Sequence, residues 1–87
     1  MGLARSINYS RDAERTLRRI DQATARRIRG KLTQYAEDPE SLANNVKQLQ
    51  GIGGLRRLRV GEWRVIFTET LVVVAVIKVA PRGSAYH

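Results

Sequence analysis

The chain contains no cysteine, one histidine, one tryptophan, one phenylalanine and two prolines in 87 residues. Without cysteine there is no disulfide framework, no thiolate zinc site and no thiol nucleophile. The single histidine is His87, the last residue, so a site of several histidine ligands is excluded too. Carboxylates are also scarce, eight in all. They lie mostly at expected helix ends and turns, and there is no conventional acid–base pair among them. No Ser/His/Asp set is present. Gly51-Ile52-Gly53-Gly54 precedes a strand pattern where a phosphate loop would open a helix, so it fails as a nucleotide cradle. Long hydrophobic runs are missing as well. Leu71 to Ile77 is too short to cross a bilayer, and Met1 to Ser10 has no apolar signal core. The expectation is a cytoplasmic protein without a membrane partner.

Positive charge is abundant. Sixteen Lys and Arg oppose eight Asp and Glu, for a net charge of +8. Thirteen of the sixteen are arginine; Lys31, Lys47 and Lys78 are the exceptions. Arginine forks match phosphate oxygens in pairs and stack on bases, so a polyanionic partner is expected. At 43% hydrophobic residues the chain has enough apolar content for a core, and 87 residues suit a single domain, 1–87. Residues 1–46 carry nine cations against six anions, and residues 47–87 carry seven against two, so the charge concentrates in the second half.

Ala4 to Tyr9 alternates weakly, as a short strand would. Ser10 then suits a helix N-cap, with Asp12 and Glu14 in the first turn where the helix dipole favours them. Ala13, Leu17 and Ile20 lie on one helical face. Asp21 suits a second N-cap, and Ala25, Ile28, Leu32 and Tyr35 repeat the spacing up to Asp38-Pro39. Residues 11–37 therefore predict a helical hairpin. Leu42, Val46 and Leu49 suggest a further turn or two of helix. Leu55–Val60, Trp63–Thr68 and Leu71–Val79 read as strands. The expected fold is α+β in the order β-α-α-β-β-β.

Gly61-Glu62 reads as a two-residue hairpin loop. That register sets Val60 against Trp63, Arg59 against Arg64, Leu58 against Val65 and Arg57 against Ile66. One face then holds Leu58, Val60, Trp63, Val65 and Phe67, with Arg56 near its edge; the other holds Arg57, Arg59, Arg64 and Ile66. Directly opposed like charges destabilise a sheet. Arginines in that position make sense if an anion such as a phosphate sits over them; the alternative is a solvated face whose side chains splay apart. A second basic cluster lies on the helices, with Arg26 and Arg29 sharing a face. It suits either a solvated surface or attraction to a large RNA. The end of the chain offers Arg82 and Tyr86, an arginine and a potential base-stacking or proton-transferring phenol, followed by His87. An enzyme built from these residues works by positioning and charge stabilisation. RNA cleavage by its own 2′-OH is a reaction of that kind, and it needs neither metal nor cofactor.

The block Leu49-Gln50-Gly51, then Leu55-Arg56-Arg57-Leu58-Arg59-Val60-Gly61-Glu62-Trp63-Arg64-Val65-Ile66-Phe67, with the apolar strand and Arg82-Gly83-Ser84-Ala85-Tyr86, resembles the RelE branch of the RelE/ParE toxin superfamily. The resemblance spans nearly the whole chain. It implies a mostly antiparallel small sheet with the helical hairpin on one face. It also implies a metal-independent endoribonuclease that cuts mRNA in the ribosomal A site, as the toxin of a type II toxin–antitoxin system. Catalytic positions carry over to Arg57, Arg59, Arg64, Arg82 and Tyr86, with Arg56, Arg26, Arg29 and His87 as further substrate contacts. The implied partners are a RelB-like antitoxin, the ribosome with its mRNA, and operator DNA for the toxin–antitoxin complex only. Some relatives have lysine at the positions of Arg57 and Arg59. Arginine does not give up its proton, so a lysine-type base is not available there, and Tyr86 or His87 stands in its place. Two other readings share the fold and strand block: a ParE-like gyrase inhibitor without nuclease activity, and a non-catalytic RNA- or ribosome-binding module.

Overall fold

A computed structural model describes residues 5–49 and 54–83. The elements are β1 (Ser6–Tyr9), α1 (Arg11–Arg19), α2 (Gln22–Glu37), a 3-10 segment (Pro39–Asn45), β2 (Val46–Gln48), β3 (Arg56–Val60), β4 (Trp63–Glu69) and β5 (Val73–Pro81). The five strands form one sheet in the order β1-β5-β4-β3-β2. The β1–β5 pair is parallel and the other three pairs are antiparallel. The order differs from the expected one by a single strand, β2. Leu42 lies within the 3-10 segment, at a kink with non-helical backbone angles (φ −118°, ψ 19°), and from Val46 the chain pairs with β3.

Both helix starts follow from their caps. The Ser10 hydroxyl accepts from the Ala13 N–H and donates to the Ile77 carbonyl at 2.6 Å, so one side chain opens α1 and ties it to β5. Asp21 accepts from the Thr24 N–H and opens α2. The α2 helix ends at Glu37, before Pro39. The hairpin lays its apolar stripe on one face of the sheet. Leu17, Ile28 and Leu32 pack there with Leu58, Val65, Phe67, Val74 and Val76, each at most 1% exposed. Burying a side chain of this size stabilises the fold by about 1.5–3 kcal/mol. The Tyr35 ring meets Phe67 edge-on at 5.1 Å.

A bulge in β5 decides what the opposite face carries. Ile66 pairs with Lys78, yet Phe67 pairs with Val76, which leaves Ile77 as an extra residue. The insertion flips the alternation of β5. Before it, Val74 and Val76 point to the helices; after it, Val79 does, while Lys78 and Ala80 turn to the other side. Of the expected Leu71–Val79 strand, Leu71 and Val72 fall in the preceding turn and are 88% and 68% exposed. No helix among the described residues is long and apolar enough to cross a membrane.

Candidate anion site on the open face of the sheet

The hairpin register is the one that the sequence predicts: Arg59 stands opposite Arg64, and Arg57 opposite Ile66. Gly61 adopts φ +57° in the connecting turn, a conformation that side chains resist. A Cβ there would also lie 3.3 Å from the Arg27 guanidinium of α2. The turn is thus seated against the helix layer. It in turn holds Arg64, whose Nη1 donates to the carbonyls of Gly61 and Trp63, both at 3.0 Å.

Strand pairing extends the basic row beyond these residues. Lys47 on β2 pairs with Arg57, Arg57 with Ile66, and Ile66 with Lys78. One cross-strand row therefore reads Lys47, Arg57, Ile66, Lys78. The next reads Arg59, Arg64, Ala80. Arg82 follows at the end of β5, where its N–H donates to the Glu62 carbonyl at 2.7 Å and brings it beside the hairpin turn. Ile66 and Ala80 are buried, and Leu49 and Leu55 pack against them. They form a small apolar floor amid the cations. Low-polarity surroundings strengthen the field of charges placed around them.

The Arg64 guanidinium is pushed below its ordinary range, first by lost solvation and then by the positive charges of Arg57, Arg82 and Arg59. These four arginines thus act on one another electrostatically. Among the described residues no salt bridge reaches Arg59, Arg64 or Arg82. Such an array attracts an anion with several oxygens, which can draw on several N–H donors at once. Beside Arg57 and Arg59 opens a cleft of about 130 Å³, lined also by Asn44, Asn45, Val46 and Lys47.

Other expected contacts lie elsewhere. Arg56 pairs with Phe67, on the helix-covered face, and its Nε lies 3.1 Å from Glu69. Arg29 is bound to Glu14 and sits over the Tyr9 ring at 4.9 Å. Arg26 is exposed on α2, in the helix layer. The sheet separates these three from the arginine rows. Tyr86 and His87 lie outside the described residues. The sequence pattern alone does not single out Lys47 and Lys78. Lys47 lies on the strand hidden by a helical spacing, and the face of Lys78 depends on the bulge at Ile77. No group of three His, Cys, Asp or Glu side chains among the described residues is placed to hold a metal ion.

Three solved structures illustrate the likeness of fold. A chain of the archaeal RelE–RelB complex from Pyrococcus horikoshii OT3 has a TM-score of 0.78 and 25% identity, over 95% of this chain and 100% of that one. A mutant E. coli toxin RelE in the free state gives 0.74 and 22%, over 95% and 87%. A chain of the E. coli DinJ–YafQ toxin–antitoxin complex gives 0.66 and 16%, over 98% and 100%. No curated protein sequence matches the chain significantly. The family model described as "ParE toxin of type II toxin-antitoxin system, parDE" matches residues 7–86. With the hairpin on a five-stranded sheet and a match across nearly its full length, the chain belongs to this family, as a type II toxin of the RelE/ParE superfamily.

Proposed function

We propose that this toxin is an endoribonuclease that cuts mRNA on the ribosome. The observation that carries the reading is the set Arg57, Arg59, Arg64 and Arg82 on one open face, with Arg59 and Arg64 directly opposed. In the proposed reaction the RNA's 2′-oxygen attacks the adjacent phosphorus and the P–O5′ bond breaks. A 2′,3′-cyclic phosphate and a 5′-hydroxyl result. The 2′-OH gives up one proton and the leaving 5′-oxygen gains one. The arginines supply N–H donors and positive charge as negative charge builds on the phosphorane oxygens. They do not take the proton, because a guanidinium keeps its own at neutral pH. We assign that step to the segment beyond Gly83, with Tyr86 or His87 as the acceptor. The cognate partner is a RelB-like antitoxin, a segment of which covers Arg57, Arg59 and Arg64 or displaces the Arg82–Tyr86 end, with operator DNA bound only by the pair.

Mapping transcript ends after induced expression tests this. The expected result is cleavage at codon boundaries on translated messages, lost in Arg64→Ala and Arg82→Ala while both variants stay folded. Unchanged cleavage in both variants overturns the site assignment. A second reading follows from the ParE description of the matching family: a gyrase-directed toxin. Stalled replication and DNA damage with intact messages would establish that reading instead.

A further inference from the structure

In the proposed RNA cleavage a proton moves onto the leaving 5′-oxygen. None of the four arginines supplies it, since a guanidinium keeps its proton at neutral pH. A lysine ammonium can release one. Two lysines share the open face with the arginines, Lys47 and Lys78. Lys47 is exposed on β2, two strands away from Arg64. Lys78 is half-buried on β5, the strand next to Arg64. Arg64 pairs with Ala80 and Ile66 with Lys78, so Lys78 is a diagonal neighbour of Arg64. Residues so related lie about 7–8 Å apart. The bulge that turns Lys78 to this face is clamped from the other. The Ser10 N–H donates to the Val76 carbonyl at 2.8 Å, and the Ser10 hydroxyl donates to the Ile77 carbonyl at 2.6 Å. The extra residue is therefore held at Ile77, and with it the parity of β5.

We propose that Lys78 is the proton donor to the leaving 5′-oxygen. Along β5 and its end the order is Lys78, Ala80, Arg82, and the opposed Arg59 and Arg64 stand level with Ala80. A phosphate over that pair sits between Lys78 on one side and Arg82 on the other. From Arg82 the chain runs on to the proton acceptor assigned beyond Gly83. Entering and leaving oxygens lie roughly in line on opposite sides of the phosphorus. Acceptor and donor are therefore needed at opposite ends of the row, and Lys78 stands at the end away from Arg82. In the step, the P–O5′ bond breaks and one Nζ–H proton of Lys78 passes to O5′, leaving a neutral amine. The amine regains a proton from water, and the acceptor returns to solvent the proton that it took from the 2′-OH.

This inference rests on the RNA-cleaving reading of the arginine face. Its test is single-turnover cleavage on ribosomes programmed with a short message, by the unaltered chain, Lys78→Met and Lys78→Arg. Each is given the ordinary message and one with sulfur in place of the bridging 5′-oxygen at the linkage that the unaltered chain cuts. A thiolate leaves without needing a proton. On the ordinary message both variants are expected to cut about 100-fold more slowly or worse. On the sulfur message both are expected to match the unaltered chain. Arginine keeps the charge but not the transferable proton, and recovery with sulfur shows that the variants are folded and hold RNA. Full-rate cutting of the ordinary message by either variant, or slow cutting of both messages, overturns the donor role while the nuclease reading stands. An unaltered chain that cuts neither message overturns both.

Discussion

The two faces of the sheet use the same residue type in opposite ways. On the helix-covered side, three arginines have carboxylate partners. Arg56 and Arg5 approach Glu69 at 3.1 and 3.7 Å, and in the helix layer above that face Arg29 binds Glu14. Glu69 also accepts a hydrogen bond from the Tyr35 hydroxyl, and its side chain is only 14% exposed. On the open face, Arg59 and Arg64 face each other, with Arg57 and Arg82 near enough to disfavour the charge on Arg64. A fold that neutralises arginine on one side could have done so on the other. Arg56, Arg5 and Arg29 tie elements of the fold together through their carboxylates, while Arg59 and Arg64 belong to the set that the proposed function assigns to a ligand.

The largest expected effect breaks that contrast on the open side. Arg64→Ala should lower RNA cleavage by about 100-fold or more, the scale of losing one transition-state donor. Its stability in urea should move by less than about 1 kcal/mol, because the two hydrogen bonds that it loses, one exposed and one part-buried, are offset by relief of like-charge repulsion. A large drop in stability with retained cleavage would make Arg64 a structural residue and dissolve the distinction.

Glu69→Ala is the counterpart on the covered face. It strips Arg56, Arg5 and Tyr35 of a shared partner in a largely buried position. Since Arg56 keeps 39% exposure and can find water, the cost falls below that of a fully buried pair, about 2 kcal/mol. Cleavage by the protein that remains folded should be unchanged. Equilibrium unfolding beside an activity assay separates the two outcomes.

Tyr35→Phe probes the same cluster more gently. Loss of one hydrogen bond to a charged group should cost about 1.5 kcal/mol. It should also alter the alkaline limb of stability. Burial, then the bond to Glu69 and its negative charge, pushes the Tyr35 hydroxyl up to about 12. The folded chain thus holds that proton more tightly than the unfolded chain, whose phenol titrates near its ordinary value of about 10. The associated stability is intact below pH 10 and is lost as pH rises from 10 toward 12. Phenylalanine should flatten this slope. A slope that persists in the variant would place the titrating group elsewhere.

Much of this contrast is legible in the residues themselves. The caps Ser10 and Asp21, the Gly61-Glu62 turn and the opposed Arg59 and Arg64 are local features, each set by neighbours a few residues away. What escapes the sequence is set by partners far along the chain. β2 is three residues long and exists because β3 supplies its hydrogen bonds, so the spacing of Leu42, Val46 and Leu49 misleads. The face of Lys78 depends on one inserted residue in an unbroken apolar run, where no polar alternation reports the change of parity. Arg56 lies near the edge of the core face as expected, but its tie to Glu69 joins residues on two different strands.

The smallest shift in stability, and the one of opposite sign, is expected of Arg59→Glu. The register puts this glutamate directly across from Arg64, where a cross-strand ion pair would replace a like-charge pair. The site is exposed, so the gain is modest, about 0.5 kcal/mol toward the folded state. RNA cleavage should fall at the same time, because the new carboxylate occupies donors that the phosphate needs and repels the phosphate itself. A chain that becomes more stable as it loses activity is what an uncompensated ligand site requires, since the repulsion is tolerated for the anion that relieves it. High salt should shrink the gain, as it screens an exposed pair. If Arg59→Glu instead destabilises the chain in low salt, Arg59 and Arg64 are not in repulsion, and the open face is no more than a solvated basic surface.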